Sequence, residues 1–202
     1  MAATMAAPRP AASLKTTLPA RCPHQAVPML ETPRLLLRPF TEADLPAFAA
    51  MNADPEVMRY FPAPKTEAET AEMLARCTEK WRADGMAFSA VTDHEGAFLG
   101  MCGLNCPVGL PVSPCVEIGW RFLSSAWGKG LASEAARAWL AWGWGQGLSE
   151  VIAFTPHLNA PSRAVMARIG MAEAPELAFD HPGIPEGDPL RTMYVARIRR
   201  PG

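Results

Sequence analysis

The chain has almost no net charge. Nineteen Lys and Arg stand against twenty Asp and Glu, a formal balance of −1 over 202 residues. That leaves no electrostatic case for nucleic acid or an anionic membrane as partner. No apolar run approaches the roughly 20 residues of a spanning helix. Cysteine is sparse: five residues, an odd number, with no Cys-x-x-Cys pair. This suits a reducing cytoplasm better than a disulfide framework. Cys102, Cys106 and Cys115, with His94 nearby, fit no usual zinc spacing, so buried thiols are expected and metal is not. Residues 1–28 lack any acidic residue and any apolar periodicity. Without an apolar h-region they make no secretory signal, although their composition leaves an organellar transit peptide open. They read as a disordered Ala/Pro-rich tail, with Met29 a candidate native start.

Almost half of the residues are apolar, 49%, enough for one domain with a substantial core over residues 29–202. Leu35-Leu36-Leu37 reads as a short buried strand. Thr41-Glu42-Ala43-Asp44 and Thr66-Glu67-Ala68-Glu69 resemble capping boxes. The first opens a helix facing inward through Leu45, Phe48 and Met51, the second one through Leu74, Cys77 and Trp81. Asp54-Pro55 predicts a further short helical turn. Strands are expected at 87–92 and 97–105, joined by a turn at 93–96. Others follow at 116–123, 151–154 and 192–197, with helices at 131–146 and 162–169. Trp127, Trp139, Trp142 and Trp144 are expected to pack between helix and sheet. No internal repeat is present.

The most telling stretch joins strand Val116–Leu123 to the helix that begins at Leu131. Between them lies Trp127-Gly128-Lys129-Gly130. First-turn amides have no intrahelical partner, the macrodipole adds positive charge, and two glycines let the backbone approach an anion closely. A phosphate-bearing ligand is implied. The spacing fails the Walker pattern. The dinucleotide fingerprint is met at Gly128 and Gly130, but Ser133 stands in its third place. The nearest candidate for its ribose-binding acid, Glu150, comes before the next strand instead of ending it. That reading stays as a distant alternative.

Five pieces in register resemble the GNAT superfamily of N-acetyltransferases, in the branch of the ribosomal-protein alanine N-acetyltransferases. They are Glu31-Thr32-Pro33-Arg34-Leu35-Leu36-Leu37-Arg38-Pro39, Glu117-Ile118-Gly119-Trp120, Trp127 through Ala135, Asn159-Ala160-Pro161-Ser162-Arg163 with Arg168-Ile169-Gly170-Met171, and Phe179-Asp180-His181-Pro182 with Pro189-Leu190-Arg191. The resemblance implies an α/β fold with a mixed, mostly antiparallel sheet of about seven strands, a splayed central pair and about four flanking helices. It further implies acetyl-CoA as co-substrate, no metal, a primary amine as acceptor (a protein N-terminus or a small molecule), direct transfer in a ternary complex, and often a homodimer.

By the same resemblance Phe122 and Leu123 flank the pantetheine slot, and Gly128, Lys129, Gly130, Leu131, Ala132 and Ser133 hold the diphosphate. Asn159 and Ser162 meet pantetheine or sulfur. A solvated loop lysine is the competing role for Lys129, and helix capping for Asn159 and Ser162. The amine arrives protonated, so a base helps. Glu117 is the first candidate, with satisfaction by Arg121 or a backbone amide as the competing view, and His157 is the second. Ser162 is a candidate acid. His181 is a candidate lining residue of the acceptor pocket, and plain loop structure competes. Where many members carry a proton-donating Tyr, this chain has Met166. A non-catalytic acyl-CoA sensor is therefore carried as the alternative class.

Overall fold

The computed structural model describes residues 28–202; the tail expected at 1–28 lies outside them save for Pro28. The described chain folds as strands β1 (Leu30–Glu31), β2 (Leu36–Arg38), β3 (Phe88–Thr92), β4 (Phe98–Asn105), β5 (Glu117–Phe122), β6 (Glu150–Pro156), β7 (Ala172–Glu173), β8 (Phe179–Asp180) and β9 (Thr192–Arg199). Helices α1 (Leu45–Ala53), α2 (Glu67–Asp84), α3 (Leu131–Gly145) and α4 (Ala160–Arg168) flank them. The strands form one sheet in the order β1-β2-β3-β4-β5-β6-β9-β7, with β8 also on β9. Nine strands replace the expected seven or so because β1, β7 and β8, two residues each, are too short for a period of two to show.

Both capping boxes form. Thr41 and Asp44 close reciprocally ahead of α1, and Thr66 and Glu69 do so at the start of α2, which Gly85 ends in a left-handed turn. The expected helical turn at Asp54-Pro55 remains a hydrogen-bonded turn. Asp54 accepts from the Met58 amide at 3.0 Å, and its side chain from the Glu56 amide at 2.8 Å. Pro62 and Pro64 lack amide donors and keep this turn from growing.

The core is built around α3. Trp139 is fully buried, its ring centroid 5.6 Å from Trp81 and 5.4 Å from Trp142. Trp127 departs from the expected packing role: it is 38% exposed, in the loop. Gly143 lets α3 close on the sheet, for a Cβ there would stand 2.9 Å from both Leu104 and Leu148. Leu104 lies opposite Ile118, so alternation turns Ile118, Trp120 and Phe122 toward α3. Glu117, Gly119 and Arg121 therefore face the other side, where Arg121 meets Asn52 of α1. Ile152, the register partner of Glu117, shares that side with a second core of Phe154, Phe179, Ile184 and Met193.

One irregularity organises the sheet. All neighbours run antiparallel except β5 and β6, which are parallel and share the single register pair Glu117–Ile152. Beyond it each strand keeps its other partner, β5 with β4 over six residues and β6 with β9 over seven. A wedge opens between them toward the C-terminal ends of both strands.

Candidate active site

The wedge exposes backbone groups that a sheet normally consumes. The Val116 carbonyl accepts from the Ile152 amide at 2.9 Å. Strand alternation therefore turns the Ile118 carbonyl, the Trp120 peptide groups and the Phe122 amide toward the same open edge. The Phe122 carbonyl accepts from the Trp127 indole at 3.0 Å, which closes the outer end of the edge. Leu123 follows directly after β5. Its amide donates to Leu99 at 3.0 Å, so its backbone is turned to β4. An extended chain carrying amides of its own fits the remaining groups, as an added strand would.

At the wide end sits the anion cradle. Gly128 and Gly130 both take left-handed conformations, φ 74° and 77°, which turn the chain into α3 where an L side chain would be strained. Gly130 is the N-cap and offers no side chain, and the first i→i−4 bond of α3 is Glu134 to Gly130. Among the described residues the amides from Gly128 to Ser133 have no backbone acceptor. Ser133, 4% exposed, buries a hydroxyl that has no partner in the protein. It borders an open cleft with Arg34, Arg137 and Arg168. Orphan donors, a bare backbone and nearby cations fit a diphosphate.

The cradle is braced by a residue that motif reading overlooked. Arg34, in the β1–β2 turn, pairs with Glu134 at 2.5 Å and donates to the Lys129 carbonyl at 2.9 Å. Thr32 donates to the same carboxylate at 2.7 Å. These contacts hold the Glu134 pKa below its usual range against the opposing effect of burial. They hold the loop and keep Glu134 from opposing an anion at the helix start. The only signal in the sequence was that Thr32, Arg34 and Glu134 each lie inside matched motifs. Arg34→Ala should weaken binding of a diphosphate-bearing ligand about 3- to 10-fold, from the loss of an exposed charge-assisted brace. Calorimetric titration of both proteins with that ligand checks it.

Glu117 stands where the wedge begins. It is half-buried, and burial pushes its pKa up to about 7, against the lowering effects of an Asn105 hydrogen bond at 3.3 Å and of Lys80. Satisfaction by Arg121 is not what the structure shows. Arg121 donates to Asn52, which is fully buried and donates in turn to Thr70 at 3.2 Å.

The other sequence candidates are spread out. His157 is exposed just past β6, five residues beyond the level of Glu117, or about 16 Å at strand rise. Its ring stands edge-on to Tyr194, 5.7 Å away. Asn159 is the N-cap of α4: Oδ1 accepts from the Ser162 amide at 3.2 Å and Nδ2 donates to Thr155 at 2.9 Å. Its carboxamide is thus held between the start of α4 and β6. The Ser162 hydroxyl has no hydrogen bond among the described residues and is half-buried at the α4 start. Asn159→Ala should cost about 1 kcal/mol of stability in denaturant unfolding, with Asn159→Asp close to wild type, as loss of an N-cap predicts. His181, half-buried with a burial-lowered pKa, accepts at Nδ1 from the Gly183 amide at 3.1 Å. It lies on the loop after β8, beside Phe179, on the Glu117 side of the sheet. Met166, 1% exposed, belongs to the core. Lys129 is exposed. Among the described residues no group of three or more His, Cys, Asp or Glu gathers as for a metal, and no helix is long and apolar enough to cross a membrane.

A wedge in a mixed sheet, opening onto a glycine-turned helix start, defines the class of acyltransferases that take their acyl group from a thioester carrier. A family model described as acetyltransferase (GNAT) domain matches residues 34–172. The chain belongs to this family and is an acetyl-CoA-dependent N-acetyltransferase. It is 34% identical over 181 residues to the FsC-acetyl coenzyme A-N(2)-transacetylase of Aspergillus fumigatus, covering 81% of this chain and 75% of that one. A GNAT-family acetyltransferase structure from Bacillus anthracis is 30% identical with TM-score 0.70, covering 85% and 98%. A ribosomal L7/L12 alpha-N-protein acetyltransferase, RimL, solved with coenzyme A, shares the fold at 16% identity and TM-score 0.68, covering 87% of this chain and 98% of that one. With family and activity in place, the dinucleotide and sensor alternatives fall away.

Proposed function

We propose that the wedge between β5 and β6 receives the pantetheine arm of acetyl-CoA and that the acetyl group passes directly to a primary amine entering from the Glu117 side. The observation that carries this reading is the single register pair between β5 and β6, followed by an unpaired edge that ends in the cradle. The amides of Gly128 through Ser133 and the Ser133 hydroxyl hold the diphosphate. The Ile118 and Trp120 backbone groups hold the arm in extended form. A β5 amide on this edge polarises the thioester carbonyl. Fixing thioester and amine in line supplies most of the rate.

Glu117 takes the proton of the attacking amine. With a pKa near 7 it is partly ionised at neutral pH, yet basic enough to accept the proton that the neutral amine gives up as its nitrogen bonds to the acyl carbon. His157, at the far exposed end of β6, is the second candidate by position. Ser162, whose hydroxyl is uncommitted, supplies the proton for the leaving thiolate, directly or through water. A covalent relay is disfavoured because the thiol nearest to Glu117 in sequence, Cys115, is pushed up to about 12 by burial and stays protonated. The compartment is the cytoplasm, in keeping with the free thiols Cys77, Cys102, Cys106 and Cys115.

The acceptor is a protein N-terminus, as the branch resemblance suggests, or a small-molecule amine. Thiol release from acetyl-CoA across an amine panel that includes peptides with free N-termini tests the reading. Turnover with some amine is expected. A coenzyme A complex with the wedge empty would overturn it.

A further inference from the structure

One cation on the Glu117 side of the sheet has no anionic counterpart. Arg121 projects from the same face of β5 as Glu117, four residues further on, and no carboxylate among the described residues pairs with it. One terminal nitrogen donates to Asn52, while Nε is buried and has no partner in the protein. Asn52 is not free to choose its orientation. Thr70 donates its own proton to the Thr66 carbonyl at 2.9 Å. It must therefore accept from the Asn52 amide, leaving the Asn52 oxygen to Arg121.

Phe61, 37% exposed, lies over the guanidinium, its ring centroid 4.1 Å from Cζ. Phe61 belongs to the turn-rich loop between α1 and α2, at the border of this face with solvent. Burial lowers the Arg121 pKa to about 10, so the group remains charged at neutral pH. A buried charge normally finds a counter-charge or is replaced by an apolar residue. Here the protein supplies a neutral oxygen and an aromatic face, both of which orient a guanidinium without neutralising it.

We propose that Arg121 is an anion-binding residue of the acceptor site, holding a carboxylate that the amine substrate carries several bonds from its amino group. This assignment rests on the acetyl-transfer reading for the place of the amine. The separation follows from β5: four residues at roughly 3.3 Å each put the two backbone positions about 13 Å apart, and the side chains diverge, Glu117 to Asn105 and Arg121 to Asn52. An α-amino acid is too short to bridge them; an ω-amino acid or a short acidic peptide is long enough. Arg121 and the α1–α2 loop lie on the sheet face opposite α3, which places the anion with the acceptor and not with the acyl donor.

The test compares ω-amino acids of increasing chain length with the n-alkylamines that lack the carboxylate, using acetyl-CoA and full-length protein. The wild type is expected to favour the longer ω-amino acids over their matched amines by about 10- to 100-fold in kcat/KM, as one charge-assisted pair supplies. Arg121→Met should collapse that ratio toward one, Arg121→Lys should keep part of it, and Phe61→Ala should lower it through KM. Equal kcat/KM for matched pairs in the wild type would overturn the proposal, as would a preference that survives in Arg121→Met. A preference for succinyl-CoA over acetyl-CoA that vanishes in Arg121→Met would also overturn it, by moving the anion to the donor. Calorimetry of the longest ω-amino acid with coenzyme A-loaded protein separates this from the broader reading. Arg121-dependent binding without turnover of any amine would uphold the anion site and sink amine acetylation. Absence of binding would sink the anion site.

Discussion

Glu117→Gln is expected to lower kcat/KM about 10²- to 10³-fold at pH 8, within the range for loss of a positioned general base, and to change the shape of the pH profile. Two groups must be deprotonated in the wild type: Glu117, at about 7, and the free amine, near roughly 8 for an α-amine. The slope of log kcat/KM should therefore approach two below pH 7. In the variant the amine alone remains and the slope should fall to one. An unchanged slope would remove Glu117 as the base even if the rate fell.

The same substitution has a consequence for stability with a definite sign. Burial raises the folded-state pKa of Glu117 above the ordinary carboxylate value. Between the two values the folded state binds more protons than the unfolded state, so this group weakens the fold progressively as pH rises from about 4.5 to about 7. Gln cannot ionise and escapes that loss. The variant should melt higher than wild type at pH 8, with the advantage gone near pH 4.5. An equal difference at both pH values would mean that the effect comes from packing and not from a titrating carboxylate. An advantage of Gln confined to the higher pH would show activity and stability trading at one carboxylate.

How much of this was legible depended on range along the chain. The capping boxes at Thr41 and Thr66 and the glycine-turned start of α3 are local signals, and they formed as read. Period two in β5 fixed which residues share a face with Glu117. The partners of those residues were not legible. Arg34 reaches Glu134 across 100 positions, and Arg121 reaches Asn52 across 69; no spacing rule carries such pairs. Tryptophan departs from expectation at one place for a related reason. Size alone suggested packing for Trp127, whereas its indole is spent on the Phe122 carbonyl at the mouth of the wedge. Asn159 shows the opposite case, a motif residue whose side chain also ties its helix start to Thr155 of β6.

Replacing Gly130 should weaken acetyl-CoA binding more than any other change in the cradle. Its φ of 77° lies in the left-handed region, where an L residue is disfavoured by roughly 1–2 kcal/mol and a β-branched one by more. A Cβ there would meet only the Arg34 guanidinium at 3.8 Å, an ordinary contact, so nothing in the protein itself forbids the side chain. What it would obstruct is the approach of an anion to the bare amides. Gly130→Val is expected to raise KM for acetyl-CoA about 10- to 100-fold, as the loss of charge-assisted hydrogen bonds worth roughly 1.5–3 kcal/mol implies, while thermal stability drops only modestly. Gly130→Asn separates the two causes, because Asn tolerates the left-handed conformation but still carries a Cβ. If strain alone mattered, Asn would restore binding almost fully over Ala. If the bare backbone matters, Asn and Ala should bind acetyl-CoA about equally poorly, because in both the same carbon stands at the proposed diphosphate site.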